Sequence, residues 1–207
     1  MRLLLLCGFA AVVLLTSFAP ARKAPAGTVA VPGLTNIFLD KVEITNISWR
    51  EYLYSLKQKH GADSEEYLEA LPDTGIWKQA YEAPFFRPGI YDEYPMVGVT
   101  YNQAQAYCTW RSEVVSSKEN RKITYSLPSL KVYKMASAKT DLNKIAEGLY
   151  STNLGFRTFL GLCDNAAEMT VVEGQAIRGS EREQCAEIFE YYVPMRKLGF
   201  RCMAELK

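Results

Sequence analysis

One long stretch without regular periodicity constrains the fold of this chain more than any other feature. Residues 72–95, PDTGIWKQAYEAPFFRPGIYDEYP, contain four prolines, two glycines and six aromatic side chains. Prolines interrupt helices and strands, and long irregular connections in compact domains usually serve a function or pack over the core. The stretch therefore predicts a domain whose core is filled partly by irregular chain. Alternatively, Trp77, Tyr81, Phe85 and Phe86 are exposed and form part of a partner-binding face.

Regular elements are predicted before this stretch. Apolar and polar residues alternate within residues 36–46, which predicts a strand. Thr45 is a suitable N-cap for the helix that follows, and Ser64 is a suitable N-cap for a second, shorter helix. In the second helix, Tyr67, Leu68 and Leu71 are expected to point inward.

Further elements are predicted after it. Residues 96–99 predict a short strand, and Thr100 with Gln103 has the pattern of a capping box at the start of a helix. Ser129 predicts the start of another helix. The sequence LGFRCMAEL at residues 198–206 predicts a closing strand.

The first 21 residues have the layout of a secretory signal peptide. A basic residue precedes an apolar run from Leu3 to Leu15, and cleavage is expected after Ala21. The run is shorter than the ~20 residues of a bilayer-spanning helix, so no transmembrane segment is expected after cleavage. The remaining chain divides into a linker, residues 22–33, and one domain, residues 34–207. The protein is thus expected to be exported.

Export changes how the cysteines are interpreted. Cys7 lies in the signal peptide and follows a leucine rather than a small residue, which disfavours lipidation. The mature chain keeps Cys108, Cys163, Cys185 and Cys202. An even number of cysteines in an oxidising compartment suggests disulfides, but four cysteines allow three pairings.

Charge and motif content exclude several functions. The chain has 24 basic and 23 acidic residues, so no overall field would attract nucleic acid. His60 is the only histidine and lies at a predicted helix end. The sequence contains no CxxC motif, no Walker loop and no GxSxG motif.

Six motifs follow one another along the chain: EITN before the first helix, YPMVGVTYNQAQAYCTW, LPSLKVYKMAS, DNAAEMT, AIRGS and LGFRC. In this order they resemble the formylglycine-generating enzyme, or sulfatase-modifying-factor, family over roughly residues 34–205. The resemblance implies an irregular α+β fold related to C-type lectins. Residues 81–111 look closest to a Bacteroidetes branch that includes lipoproteins of gliding motility and type IX secretion.

The resemblance also bears on catalysis. Catalytic members oxidise a substrate cysteine with copper and oxygen, and two cysteines shortly after a Gly-Gly-Ser corner bind Cu(I), which prefers thiolates. Here the corner ends at Ser180, and the two expected positions fall near Glu183 and Ile188, neither of which is a thiol. Cys185 lies between them. The resemblance therefore predicts a non-catalytic domain, and the alternative is a divergent copper-dependent oxidase that uses Cys185 and Cys163.

The resemblance also implies two structural features that are separate from catalysis. The resemblance implies a Cys108–Cys202 disulfide and a calcium site at Asn165 and Glu168, whose oxygens suit a hard cation. As alternatives, Asn165 caps a turn and Glu168 meets a basic side chain. The expected function is a binding or structural module with a protein partner in the cell envelope, in the periplasm or at the cell surface.

Overall fold

The computed structural model describes residues 23–77, 86–138, 159, 161–179, 185 and 187–207. The helices within these residues are α1 (Asn46–His60), α2 (Glu65–Glu69), α3 (Tyr101–Glu119) and α4 (Leu130–Ser137), with a 3-10 helix at Thr74–Trp77. The strands are β1 (Thr28–Ala30), β2 (Ile37–Asp40), β3 (Ile123–Ser126), β4 (Ala167–Met169), β5 (Gln175–Arg178), β6 (Glu187–Glu190), β7 (Leu198–Gly199) and β8 (Met203–Leu206). Helices and short strands are mixed along the chain, which confirms the predicted α+β fold.

Two four-stranded sheets organise the described chain. The first has the order β1-β2-β8-β3 and is antiparallel throughout, with Leu39 opposite Met203 and Tyr125 opposite Ala204. The second has the order β6-β5-β4-β7, in which only the β4–β7 pair is parallel. Because β8 lies between β2 and β3, the C-terminal strand is central to the first sheet.

An aromatic cluster joins α1 and α3 to the chain that precedes β8. Trp49 stacks on Tyr107 with ring centroids 5.4 Å apart and meets Phe200 edge-on at 6.0 Å. Tyr52 packs edge-on against both Trp49 and Tyr107. Offset-stacked and edge-on arrangements are the favourable geometries for aromatic pairs. This cluster is the centre of the main hydrophobic core.

The free side of the edge strand β3 is covered by α3. The Ser112 hydroxyl accepts a hydrogen bond from the Tyr125 amide at 2.7 Å. The Ser116 hydroxyl accepts one from the Ile123 amide at 3.0 Å and donates one to the Ile123 carbonyl at 2.9 Å. Four residues along a helix span about 6 Å and two residues along a strand about 6.6 Å, so the spacings match. The serines thereby satisfy an edge that would otherwise present unpaired groups.

Replacing Ser112 by alanine is expected to reduce the free energy of unfolding by about 1–3 kcal/mol, because the buried Tyr125 amide loses its partner. Urea denaturation measures this loss. Ser117→Ala, at an exposed position of the same helix, is the matched control and should change stability by less than about 0.5 kcal/mol. Equal effects of the two substitutions would contradict the role of Ser112.

The predicted helix starts are confirmed. Thr45, Ser64, Thr100 and Ser129 are the N-caps of α1, α2, α3 and α4, and Thr100 with Gln103 forms the capping box. These starts depend on side chains that bind backbone amides only three residues away, so local sequence suffices to predict them.

Two other predictions were wrong. Residues 96–99 do not form a strand: only an isolated bridge joins Thr45 to Pro95, and Gly98 at φ +82° turns the chain away. Of the three residues expected to point inward, Tyr67 is half-buried against the main core. Leu68 and Leu71 are exposed, because α2 is too short to pack a full face against the core.

Candidate functional site

The loop that leads into β4 and the chain before β8 meet at three buried charged side chains. Arg201 precedes β8, Glu168 lies on β4, and Glu43 precedes α1; all three are fully or almost fully buried. The guanidinium of Arg201 donates to both carboxylate oxygens of Glu168, at 2.6 and 2.8 Å. Its Nη2 lies 3.8 Å from Oε2 of Glu43. We call this group the buried ion cluster.

The buried ion cluster fixes the loop at residues 161–166. The Cys163 amide donates to Glu168 at 2.9 Å, and the Ala166 amide donates to Glu43 at 3.4 Å. A Cβ at Gly161, whose φ is +66°, would come within 2.6 Å of a Glu43 oxygen. The carboxylates therefore position this loop, and glycine is required where it approaches Glu43.

The charges of the cluster do not balance if both carboxyls are ionised. Burial raises the pKa of Glu43 from 4.5 to about 8; Arg201 opposes this rise and Glu168 adds to it. Burial alone would lower the pKa of Arg201, but Glu168 and Glu43 together raise it above its usual value. At neutral pH the protonated form of Glu43 is therefore favoured.

Replacing Glu43 by glutamine is expected to flatten the pH dependence of stability. Because the folded protein raises the pKa of Glu43, its contribution is fully present below pH 4.5 and is lost as the pH rises through about 8. This loss is at most about 1.4 kcal/mol per pH unit. Urea denaturation at pH 5, 6.5 and 8 tests it. Glu51→Gln, at an exposed site on α1, should retain the wild-type slope, and an unchanged slope in Glu43→Gln would contradict this account.

A disulfide joins the loop at residues 161–166 to Cys185. Cys163 and Cys185 are bonded, with their Cα atoms 5.2 Å apart, and both residues are buried. The Cys163 carbonyl also accepts a hydrogen bond from the Gly179 amide at 2.5 Å. If Cys108 pairs with Cys202, as the resemblance implies, Cys185 is left with Cys163 or without a partner; the structure shows the bond between Cys163 and Cys185. Ser180 lies outside the described residues.

This sulfur pair does not fit Cu(I) in its bonded form. Cu(I) prefers thiolates, whereas a disulfide has none until it is reduced. The side chains of Cys163 and Cys185 are also buried. As the structure presents them, Cys163 and Cys185 form a structural link between two loops.

The residues that the resemblance assigned to calcium do not fit that ion. Both oxygens of Glu168 are bound by Arg201, so a cation placed there would face a guanidinium. Asn165, three residues before Glu168, is also buried. No group of three metal-ligating side chains occurs among the residues that the structure describes. The alternative interpretation, in which Glu168 meets a basic side chain, agrees with the geometry.

The other two cysteines lie close together in the main core. Their sulfurs are 3.2 Å apart, Cys108 on α3 and Cys202 immediately before β8, and no covalent bond joins them. Burial, followed by the neighbouring Cys108, raises the pKa of Cys202 well above its usual value. The predicted disulfide between them stays a prediction.

The aromatic residues proposed for partner binding are placed differently. Trp77 is only 5% exposed and packs within the main core, with Phe86 half-buried at a centroid distance of 5.7 Å. Trp77 is therefore a core residue, because its ring is already covered by its own domain. Tyr81 and Phe85 lie outside the described residues.

Sequence reasoning missed Glu43 and Arg201. Both lie in short, strongly apolar segments, VEIT and GFRC, where a charge would be costly to bury without a partner. A single charged residue within each apolar segment was the sequence signal that could have identified Glu43 and Arg201. The pairing itself depends on segments that are more than 150 residues apart, so the sequence alone could not join them.

The family of the chain follows from its sequence. A model of the Sulfatase-modifying factor enzyme 1-like domain, the FGE-sulfatase family, matches residues 7–153, more than half of the chain. The chain therefore belongs to this family. No curated protein matches the chain in sequence.

Two solved structures share the fold. Treponema denticola variable protein 1 is 11% identical with a TM-score of 0.54, and the match covers 89% of this chain and 92% of that one. The crystal structure of CarF is 13% identical with a TM-score of 0.55, covering 84% of this chain and 88% of that one. At such low identity, these likenesses establish the fold alone. None of the helices in the described part of the chain has the length and apolar character needed to cross a membrane.

Proposed function

We propose that this protein is a non-catalytic member of its family that binds another protein in the cell envelope. The observation that carries this proposal is the Cys163–Cys185 disulfide. Catalytic members need two thiolates after the glycine–serine corner, and here the single cysteine of that segment is bonded to a different loop. The chain retains the scaffold of the family without a free thiol pair in the groove.

The proposed location is the periplasm or the cell surface. The signal-peptide layout of the first 21 residues supports export, and disulfides persist in oxidising compartments. The similarity of residues 81–111 to the Bacteroidetes branch supports a role in gliding motility or type IX secretion. In that setting the protein would be one component of an envelope assembly.

Cell fractionation and cross-linking test this proposal. The tagged protein should be found in the envelope or medium with a mature N-terminus near Arg22, and cross-linking in intact cells should recover a specific envelope protein with it. A variant without residues 2–21 is the control and should remain in the cytoplasm without that protein. An intact N-terminus on wild-type protein in the cytoplasm, or no cross-linked protein, would contradict the proposal.

The divergent oxidase is the second candidate. The adjacency of the Cys163 and Cys185 sulfurs favours it, since both would lie within reach of one metal after reduction. Their burial opposes it, because a substrate cysteine must also reach that metal. Copper loading of reduced protein separates the two candidates.

A further inference from the structure

A cleft with a volume of 710 Å³ lies between α1, α2 and α3, within the usual size range of ligand sites. Two aromatic side chains line it, Tyr52 from α1 and Trp110 from α3, with ring centroids 5.2 Å apart. The indole nitrogen of Trp110 donates to the Ser55 hydroxyl at 3.0 Å, which fixes the orientation of the ring. The aromatic wall of the cleft is therefore preformed. We call it the acidic–aromatic cleft, for the charges around it.

Acidic side chains surround these rings. Glu66 and Glu69 from α2 and Glu113 from α3 line the cleft, against one ammonium, that of Lys59. Among the described residues, Glu69 and Glu113 form no ion pair, whereas Glu66 lies 3.5 Å from His60. Three carboxylates minus one ammonium leave a formal charge of −2. Aromatic faces beside carboxylates favour a cation.

The Tyr52 hydroxyl offers a polar contact in the cleft. The Tyr52 residue is only 4% exposed and lines the cleft, but its hydroxyl oxygen is not among the buried polar atoms that lack a partner. The hydroxyl is therefore open to the cleft and accessible to a bound group. Burial also raises the pKa of Tyr52, so the hydroxyl stays protonated and can donate to or accept from a bound group.

A second cleft of 440 Å³ adjoins the acidic–aromatic cleft. Thr100 and Asn102, at the start of α3, line both. Across the second cleft lie Tyr192 and Val193, which are 85% and 65% exposed. Large apolar side chains that remain so exposed next to a groove are typical of an interaction surface. Tyr192 and Val193 give the second cleft an exposed apolar end, beside the carboxyl of Glu173. Two adjoining clefts of this kind suit an extended polypeptide better than a small amine.

We infer that the two clefts together bind an extended segment of a partner protein, with a lysine or arginine in the acidic–aromatic cleft and an apolar residue against Tyr192 and Val193. This inference rests on the proposed function, because it specifies the partner chemistry of a binding module. The acidic cleft provides charge complementarity, and the apolar end provides contact area.

Selection from a displayed library of random decapeptides tests the inference. Peptides selected on the wild-type protein should contain a lysine or arginine near an apolar residue, and their affinity, measured by fluorescence polarisation, should fall as salt is raised. In a Glu69→Gln, Glu113→Gln double variant the affinity should fall at least about tenfold. Tyr52→Phe and Val193→Ser should each weaken binding several-fold. Glu51→Gln, an exposed carboxylate outside both clefts, is the matched control and should bind like wild type.

Three results would overturn the inference: no enrichment of basic residues, undiminished binding by the double variant, or equally tight binding of N-acetylarginine amide alone. The last result would assign the cleft to a small cation. Thermal unfolding of each variant confirms that it is folded. If the envelope protein recovered by cross-linking still binds the double variant, the cleft inference fails while the proposed function stands. If wild type recovers no envelope protein, the proposed function fails.

Discussion

Replacement of Arg201 by methionine is expected to destabilise the domain by about 3–5 kcal/mol. The Arg201 side chain is completely buried and binds both oxygens of Glu168, which is also buried. Methionine occupies a similar volume but leaves the Glu168 carboxylate without a counter-ion. Because marginal domains have only about 5–15 kcal/mol of stability, this loss is a large part of the total.

Urea denaturation at neutral pH measures the loss. Arg178→Met is the matched control: Arg178 pairs with Glu187 at 2.7 Å, but both side chains are exposed, so less than about 1 kcal/mol should be lost. Adding Glu168→Gln to Arg201→Met should recover part of the stability, because the unpaired charge is removed. A similar small loss for Arg201→Met and Arg178→Met would contradict the importance of the buried ion cluster.

Oxidation of Cys108 and Cys202 to a disulfide is expected to stabilise the protein by about 4–5 kcal/mol. The two sulfurs are 3.2 Å apart, so a movement of about 1 Å brings them to bonding distance. The residues are 94 positions apart, and closing so long a loop removes much of the entropy of the unfolded chain. A fold with extensive irregular chain gains particularly from such a link.

Non-reducing peptide mapping of exported protein tests this pairing. The expected result is a Cys108 peptide linked to a Cys202 peptide, separate from the Cys163–Cys185 pair. The double variant Cys108→Ala, Cys202→Ala keeps the second disulfide, and its lower stability in urea combines the loss of the first bond with the loss of two buried sulfurs. Free thiols at both positions after export, or a link between Cys108 and Cys185, would contradict the prediction.

Local chemistry explains which parts of the fold the sequence could predict. Thr45 and Ser129 start helices by binding amides within the next turn, and the sequence contains all the required atoms nearby. Met96 and Val97 are fully buried, as their apolar character suggests, but the positive φ of Gly98 ends the extended chain. Whether an apolar segment becomes a strand depends on a distant partner, which local pattern does not specify.

The same distinction between local and long-range contacts applies to the candidate site. Absence of the family's thiol pair could be read from the positions after Ser180. The partner of Cys185 could not, because it depends on the approach of two loops in space. Glu168 was predicted either to bind calcium or to meet a basic side chain, and only the position of Arg201 distinguishes the two. Burial likewise decided that Trp77 belongs to the core.

The most direct measurement of the central claim is an aldehyde assay with a cysteine-containing sulfatase peptide. Purified protein is assayed as isolated, and again after the Cys163–Cys185 disulfide is reduced and the protein is loaded with Cu(I) under oxygen. A Cys185→Ser variant treated identically is the control. The non-catalytic account predicts no aldehyde above that control in either state. Oxygen-dependent aldehyde formation by the wild type that Cys185→Ser abolishes would contradict it.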